Sequence, residues 1–180
     1  MVIPRRFELK HLIHQNLADK TSITALKELR RGICSPETEG FLKSLDRPLE
    51  GDAVDIFFTK LSVKLQNQEA LFRMPGDLLT FDCVDEGNVT GISCPAKVKL
   101  LLKVGAKVMI VWNLSEDVKN GSTGMREEKL EVEIKNHGKV GLKRQTWSKR
   151  DRTGRIVGSC TQYPVILFYA CTYHKTQGLT

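Results

Sequence analysis

The spacing of apolar positions changes part-way along the chain. In the first third it is helical. Ile23, Leu26 and Leu29 share one face of a segment running from Asp19 to Gly32, and Phe41, Leu42 and Leu45 line a second. Val63, Asn67 and Leu71 stack at i, i+4 and i+8 in a third, Leu61 to Leu71. Thr21 or Ser22 is expected to cap the first helix, and Gly32 to stop it in a left-handed conformation. Ser35-Pro36-Glu37 reads as the start of the second, because a proline in the first turn gives up no needed N–H; Pro48 ends it. Ala53 to Phe58 is an apolar run of strand length.

From Val98 to Ile134 the period shortens to two. Val108 and Ile110 alternate with Met109 and Val111, which predicts a strand covered on both faces. Leu130, Val132 and Ile134 alternate with Glu131 and Glu133, which predicts a strand with one wet face. Asn120-Gly121 and Asn136-His137-Gly138 are turn signals. Pro164 to Ala170 is a second buried, strand-length run, and the polar stretch Thr172 to Gly178 follows it. The order helix, helix, strand, helix, β-module, strand, loop predicts an α/β domain interrupted by a small antiparallel barrel.

Composition leaves that picture intact. With 41% hydrophobic and 27% charged residues the chain is ordinary for a globular protein. Its longest uninterrupted apolar stretch, Pro164 to Cys171, is far too short to span a bilayer, so no membrane partner is expected. Charge adds more. The net charge is +7, and eight basic residues with one acid, Asp151, lie between Lys135 and Arg155. A focused excess of this kind suits a nucleic-acid backbone, and Lys143, Arg144, Lys149, Arg150 and Arg152 form the candidate patch. Trp147 within it either stacks on a base or covers the barrel; Trp112 is expected in the core. The five cysteines are odd in number and never spaced C-x-x-C, which predicts buried free thiols and no metal site. An intracellular location is the corresponding expectation.

The loop after Pro164–Ala170 is the strongest candidate for function, because ligands of open α/β sheets bind beyond the carboxyl ends of strands. Its residues His174-Lys175-Thr176-Gln177-Gly178-Leu179-Thr180 resemble motif V of the Pif-type (petite integration frequency) and RecD-like superfamily-one DNA helicases, H-K-S/T-Q-G-hydrophobic-T. Leu102-Lys103-Val104-Gly105-Ala106-Lys107-Val108-Met109, then Asn113-Leu114 and Asn120-Gly121-Ser122-Thr123-Gly124, resemble that family's L-K-V-G-A-x-V-M…N-L…N-G-x-x-G signature. Thr59, Val63, Asn67 and Leu71 match its T-N-x-x-V-x-x-x-N-x-x-x-L helix, and Leu29-Arg30-Arg31-Gly32 is similar to its I-R-x-G segment.

The resemblance implies the second RecA-like domain of an ATP-dependent DNA helicase, a P-loop NTPase-type fold. The domain is incomplete here, over 1–74 and 163–180, with an inserted Src-homology-three-type barrel over 75–162. Family members use ATP and Mg2+, step along single-stranded DNA, typically 5′ to 3′, unwind forked duplex, and serve DNA repair, recombination and telomere maintenance. A eukaryotic member would be nuclear or mitochondrial. By the same analogy Thr59, Asn67, His174, Lys175 and Thr176 contact the DNA, while Gln177 and Gly178 couple the track to the nucleotide cleft.

Departures from the family pattern are as informative. The family's V-F-R-Q arginine finger, of a kind that speeds phosphoryl transfer by roughly 10³-fold or more, corresponds here to Leu12-Ile13-His14-Gln15. A histidine at position 14 cannot replace a bidentate guanidinium. Lys60 stands where the family has asparagine. No G-x-x-x-x-G-K-S/T loop occurs in the sequence, and Val84-Asp85-Glu86, a superficial magnesium-binding acid pair, follows none. ATP binding is therefore expected to need the first RecA-like domain, which this chain lacks. The rival reading is a non-catalytic nucleic-acid-binding β-module that uses the basic hairpin.

Overall fold

The computed structural model describes residues 19–49, 53–127, 130–134 and 137–176. They fall into two units that divide between residues 49 and 53. The first is a helix pair, α1 (Lys20–Arg30) and α2 (Pro36–Ser44). The cap of α1 is Asp19, one turn earlier than the expected hydroxyls: its carboxylate accepts from the Ser22 N–H, and an ionised acceptor also suits the positive end of the helix. Gly32, at φ +71°, stops the helix as expected. Ser35 caps α2 by accepting from Thr38, with Pro36 in the first turn. The Glu28 carboxylate then joins the two helices, accepting from the Thr38 hydroxyl at 2.7 Å and the Ser35 N–H at 3.1 Å. These bonds favour the ionised form and hold its pKa below the usual glutamate value. Two short helices bury little: Ala25 is covered, but Leu26 and Leu29 on the expected apolar face stay more than two-fifths exposed.

The second unit begins with β1 (Asp55–Phe57) and α3 (Lys60–Arg73). Eleven short strands lie between α3 and the polar tail of the described chain. Those used below are β2 (Leu79–Asp82), β3 (Val84–Gly87), β4 (Lys99–Leu102), β5 (Lys107–Ile110), β6 (Thr123–Arg126), β7 (Glu131–Ile134), β8 (Gly138–Gly141), β9 (Gln145–Arg150), β10 (Ile156–Gln162) and β11 (Val165–Leu167). The last strand is β12 (Ala170–Thr172), followed by a 3-10 turn, Tyr173–Thr176. The ladders run β11-β5-β6-β7-β8, β3-β10-β9, β2-β4 and β1-β12. All pair antiparallel except β1 with β12, which is parallel.

Two expectations need correction. Among the described residues no ladder closes on itself, so the β-module is not a hydrogen-bonded barrel. Between β10 and β11, Pro164 has no N–H to offer a ladder, and the fully buried Gln162 side chain ties the turn to the module by donating to the Phe81 and Lys97 carbonyls. In addition, Pro164–Ala170 is not one strand. It hands over from β11 to β12 at Phe168–Tyr169, where the Phe168 N–H goes to the Lys107 carbonyl and the Tyr169 N–H to Asn67 Oδ1.

The double coverage predicted for Val108 to Val111 is observed. Val108 and Ile110 enter a core with Leu100, Leu102, Val132, Ile134 and Val165. Met109 and Val111 face the other way, against Phe168 and Cys171. The strand with one wet face is also observed, with Val132 and Ile134 buried and Glu133 exposed. β5 is therefore a wall shared by two cores, and it carries β12 and its polar tail. Trp112, expected in the core, is instead 45% exposed and packs edge-on against the buried Trp147. The thiols also divide: Cys160 and Cys171 are buried, whereas Cys34 is exposed.

Asn67 fixes α3 to β12. Its Nδ2 donates to the Ala170 carbonyl at 2.8 Å and the Val63 carbonyl at 2.9 Å, and its Oδ1 accepts from the Tyr169 and Ala170 N–H groups. Replacing it by alanine strands buried strand-edge groups, each costing about 1–3 kcal/mol. Asn67→Ala is expected to lower unfolding stability by about 3 kcal/mol, read as a shift in denaturant midpoint at unchanged slope. Gln66→Ala, which removes only an exposed bond to Asp55, is expected to move it by less than about 0.5 kcal/mol.

Candidate nucleic-acid interface

β1 and β12 lie side by side in parallel, with Phe57 opposite Thr172. Whatever follows each strand therefore emerges at the same end of the pair. After β1 comes Phe58-Thr59 and the start of α3; after β12 comes Tyr173-His174-Lys175. The Phe58 and Tyr173 rings meet at 5.7 Å, and the His174 ring lies 3.8 Å from that of Tyr173. Phe58 is 88% exposed, an unusual state for a phenylalanine that has a ring neighbour. Thr59 and His174, both expected to contact DNA, thus follow strands that end side by side, at one rim.

Beside the rim lies a cleft of about 440 Å³, walled by α3, residues 94–101 and β12. Its floor is apolar, with Leu71, Leu100 and Ile166, and five lysines reach it: Lys60, Lys64, Lys97, Lys99 and Lys175. Burial against that floor and the neighbouring Lys97 charge both hold the Lys175 ammonium below the ordinary lysine range. The start of α3 contributes the positive end of a helix to the same rim.

The residues singled out in the sequence divide by what their side chains do. Lys175 lines the cleft, and Thr59 and His174 stand at its rim. The Thr59 hydroxyl caps α3, accepting from the Ser62 N–H at 3.1 Å. Asn67, read as part of the strand-binding face, is buried with both amide atoms engaged in the fold; it is a structural residue and offers no free donor. The Thr176 hydroxyl is turned inward, donating to the Tyr173 carbonyl at 2.6 Å. Gln177, Gly178 and His14 lie outside the described residues.

The basic hairpin is formed by β9 and β10, but several of its cations serve the module itself. Arg144 donates to the Asp82 carbonyl and stacks over Tyr163, Lys149 donates to the Thr90 carbonyl, and Arg150 to the Gly154 carbonyl. Lys143 and Arg152 are exposed. Trp147 covers the module rather than presenting a face for stacking. Sequence reasoning missed Lys64, Lys97 and Lys99, which lie far apart in the chain with no shared period, and it missed Phe58 and Tyr173. Phe58 carried one usable signal: an aromatic residue directly before a helix cap at the carboxyl end of a strand.

No protein-family model matches the chain. The ATP-dependent DNA helicase PIF1 of Rattus norvegicus is 30% identical over 202 residues, covering 99% of this chain and 30% of that protein. The crystal structure of Bacteroides sp Pif1 in complex with ADP-AlF4 is similar with a TM-score of 0.72 at 27% identity, over 88% of this chain and 40% of that one. Bacteroides Pif1 bound to ssDNA gives 0.69 and 27%, over 90% and 41%. The chain belongs to the Pif1 helicase family.

It spans less than half the length of each of these proteins. Several Pif1-like motif positions have folding roles here. Thr59 caps α3, Asn67 bolts it to β12, and Leu71 is fully buried. In the L-K-V-G-A-K stretch, Lys103 donates to the Met74 carbonyl at the end of α3, and Lys107 donates to the Ala53 carbonyl. ATP and Mg2+, used by the Pif1 family, do not fit these residues alone. No phosphate loop is present, and Asp85 and Glu86 sit on antiparallel β3 facing Cys83 and Ser159.

One consequence concerns titration of the cleft. Replacing Lys97 by alanine removes a like charge and is expected to raise the Lys175 pKa towards the ordinary lysine range. Side-chain NMR titration, or amine labelling as a function of pH, reads the change. An unchanged Lys175 curve would show that Lys97 does not act on it.

Proposed function

We propose that this chain is the DNA-tracking portion of a Pif1-family helicase and that the lysine cleft with its aromatic rim holds single-stranded DNA. The observation that carries this reading is the convergence of five lysines with an exposed ring at the carboxyl ends of two parallel strands. Lysines neutralise phosphates as point charges, and each neutralised phosphate releases counterions. Phe58 and Tyr173 offer faces on which unpaired bases stack, which is sequence-tolerant recognition suited to a motor that moves along any sequence. The Bacteroides Pif1 bound to ssDNA supports DNA as the partner class.

In this reading residues 1–74 and 163–180 belong to the second RecA-like domain, and 75–162 are its inserted β-module. ATP and Mg2+ are held with a first RecA-like domain outside this sequence, Gln177 and Gly178 link the DNA track to that nucleotide, and movement runs 5′ to 3′ on single strands and forked duplexes. His14 in place of an arginine finger weakens phosphoryl transfer even when both domains are present. The chain by itself binds single strands and hydrolyses no ATP.

Fluorescence titration of the chain with a labelled oligonucleotide across a salt series tests this. Each of Lys60→Ala, Lys64→Ala and Lys97→Ala is expected to weaken binding and to lower the salt slope by about 0.7. Phe58→Ala is expected to cost about 1–3 kcal/mol with the slope unchanged. The pair Lys143→Ala and Arg152→Ala is expected to leave both quantities alone; loss of binding in that pair alone would shift the interface to the hairpin. Because a phosphate stabilises the charged form of Lys175, affinity is expected to fall as pH rises through its lowered pKa, and to persist to higher pH in Lys175→Arg.

A further inference from the structure

The β-module gathers three cysteines that the sequence scatters over 78 positions. Register does most of it. Cys160 on β10 is directly opposite Asp85 on β3, and directly opposite residues of an antiparallel pair point to the same face. Cys83, two residues before Asp85, falls on that face too. The segment after β3 then returns over it and delivers Cys94. The Cys160 and Cys94 sulfurs lie 3.3 Å apart, the Cys83 sulfur is 3.2 Å from Asp85 Oδ1, and the ligand atoms of Cys83, Asp85 and Cys160 all fall within 4.8 Å of one another.

We propose that Cys83, Asp85, Cys94 and Cys160 form a binding site for a soft divalent cation of the zinc class. Thiolate ligands select such ions over magnesium or calcium, and a closed four-ligand set is the form of a structural site. With zinc–sulfur bonds of about 2.3 Å, tetrahedral ligands stand about 3.8 Å apart; the Cys83, Asp85 and Cys160 atoms already lie within 4.8 Å of one another, and Cys94 joins them through its 3.3 Å approach to Cys160. Three thiolates and one carboxylate around a dication carry the same charge as a four-cysteine zinc site.

The rival chemistry is a Cys94–Cys160 disulfide made by an oxidant such as oxidised glutathione. A disulfide would join Cys94 to Cys160 alone and leave the neighbouring Cys83–Asp85 pair without a role, whereas a cation uses all four groups. A bound dication displaces the thiol protons as it enters. Asp85 also favours a metal over a disulfide, because a carboxylate beside the sulfurs repels a thiolate but completes a cation's ligand set. The ion would tie the β2–β3 link, the returning segment and β10 together.

The test uses the whole 180-residue chain, purified under reducing conditions and titrated with Zn2+, with bound metal measured by mass spectrometry. Cobalt substitution reports geometry and thiolate ligation by absorption. About one zinc per chain is expected, with tetrahedral, thiolate-bound cobalt spectra and with Cys83 and Cys94 protected from alkylation while Cys34 stays reactive. Asp85→Asn, at an exposed position that the fold tolerates, is expected to weaken zinc binding roughly tenfold or more. Cys160→Ser is expected to abolish the thiolate spectrum, and Cys34→Ser to change nothing. Metal well below one equivalent, cobalt spectra without thiolate character, full affinity in Asp85→Asn, or a Cys94–Cys160 disulfide that forms equally with zinc present would each overturn the proposal.

Discussion

One side-chain amide organises the candidate interface. Asn67 gives α3 and β12 a shared set of hydrogen bonds, accepting from two strand-edge N–H groups and donating to a strand carbonyl and to its own helix. A two-stranded parallel sheet has too few ladder bonds to hold itself, so a helix must be fastened to its edge. Once it is fastened, the start of α3, the end of β1 and the end of β12 have no freedom to separate. The rim residues inherit their positions from that bolt, although the bolt never reaches solvent.

The electrostatics of the cleft follow from the same arrangement. Five lysines border an apolar floor, and the Lys175 ammonium registers both burial there and the like charge of the neighbouring Lys97. Such a site is unfavourable while nothing neutralises it. A polyanion relieves the repulsion, and low-polarity walls focus the field that attracts it. The basic hairpin differs in kind: Arg144, Lys149 and Arg150 donate to carbonyls of their own module, which leaves Lys143 and Arg152 of the candidate patch, both exposed.

Much of this was legible in the sequence, and the failures have physical causes. Helix starts were readable because caps and first-turn prolines act locally, although Asp19 outcompeted the hydroxyls at Thr21 and Ser22 for the first cap. β5 was readable because both of its faces are apolar. Asn67 was placed on the right helix face but given the wrong work: a polar residue in an apolar stripe looks the same in sequence whether it meets DNA or a strand edge. Three cleft lysines, Lys64, Lys97 and Lys99, were invisible, since α3 and residues 97–99 meet only through tertiary packing. The approach of Cys83, Cys94 and Cys160 was equally out of reach, because spacing rules describe neighbours within one turn, not across a ladder.

The double coverage of β5 carries a cost of its own. A strand with one wet face is held in register by its pattern, since sliding by one residue would drive polar groups inward. β5 has no such guard, because sliding it would merely exchange Val108 and Ile110 for Met109 and Val111. Its alignment therefore falls to polar anchors at one end: the left-handed Gly105 turn, the Lys107 ammonium on Ala53, and the Phe168 N–H on Lys107. A lysine that reads as one more surface charge in this basic protein acts as the pin against slippage between two interchangeable oily layers.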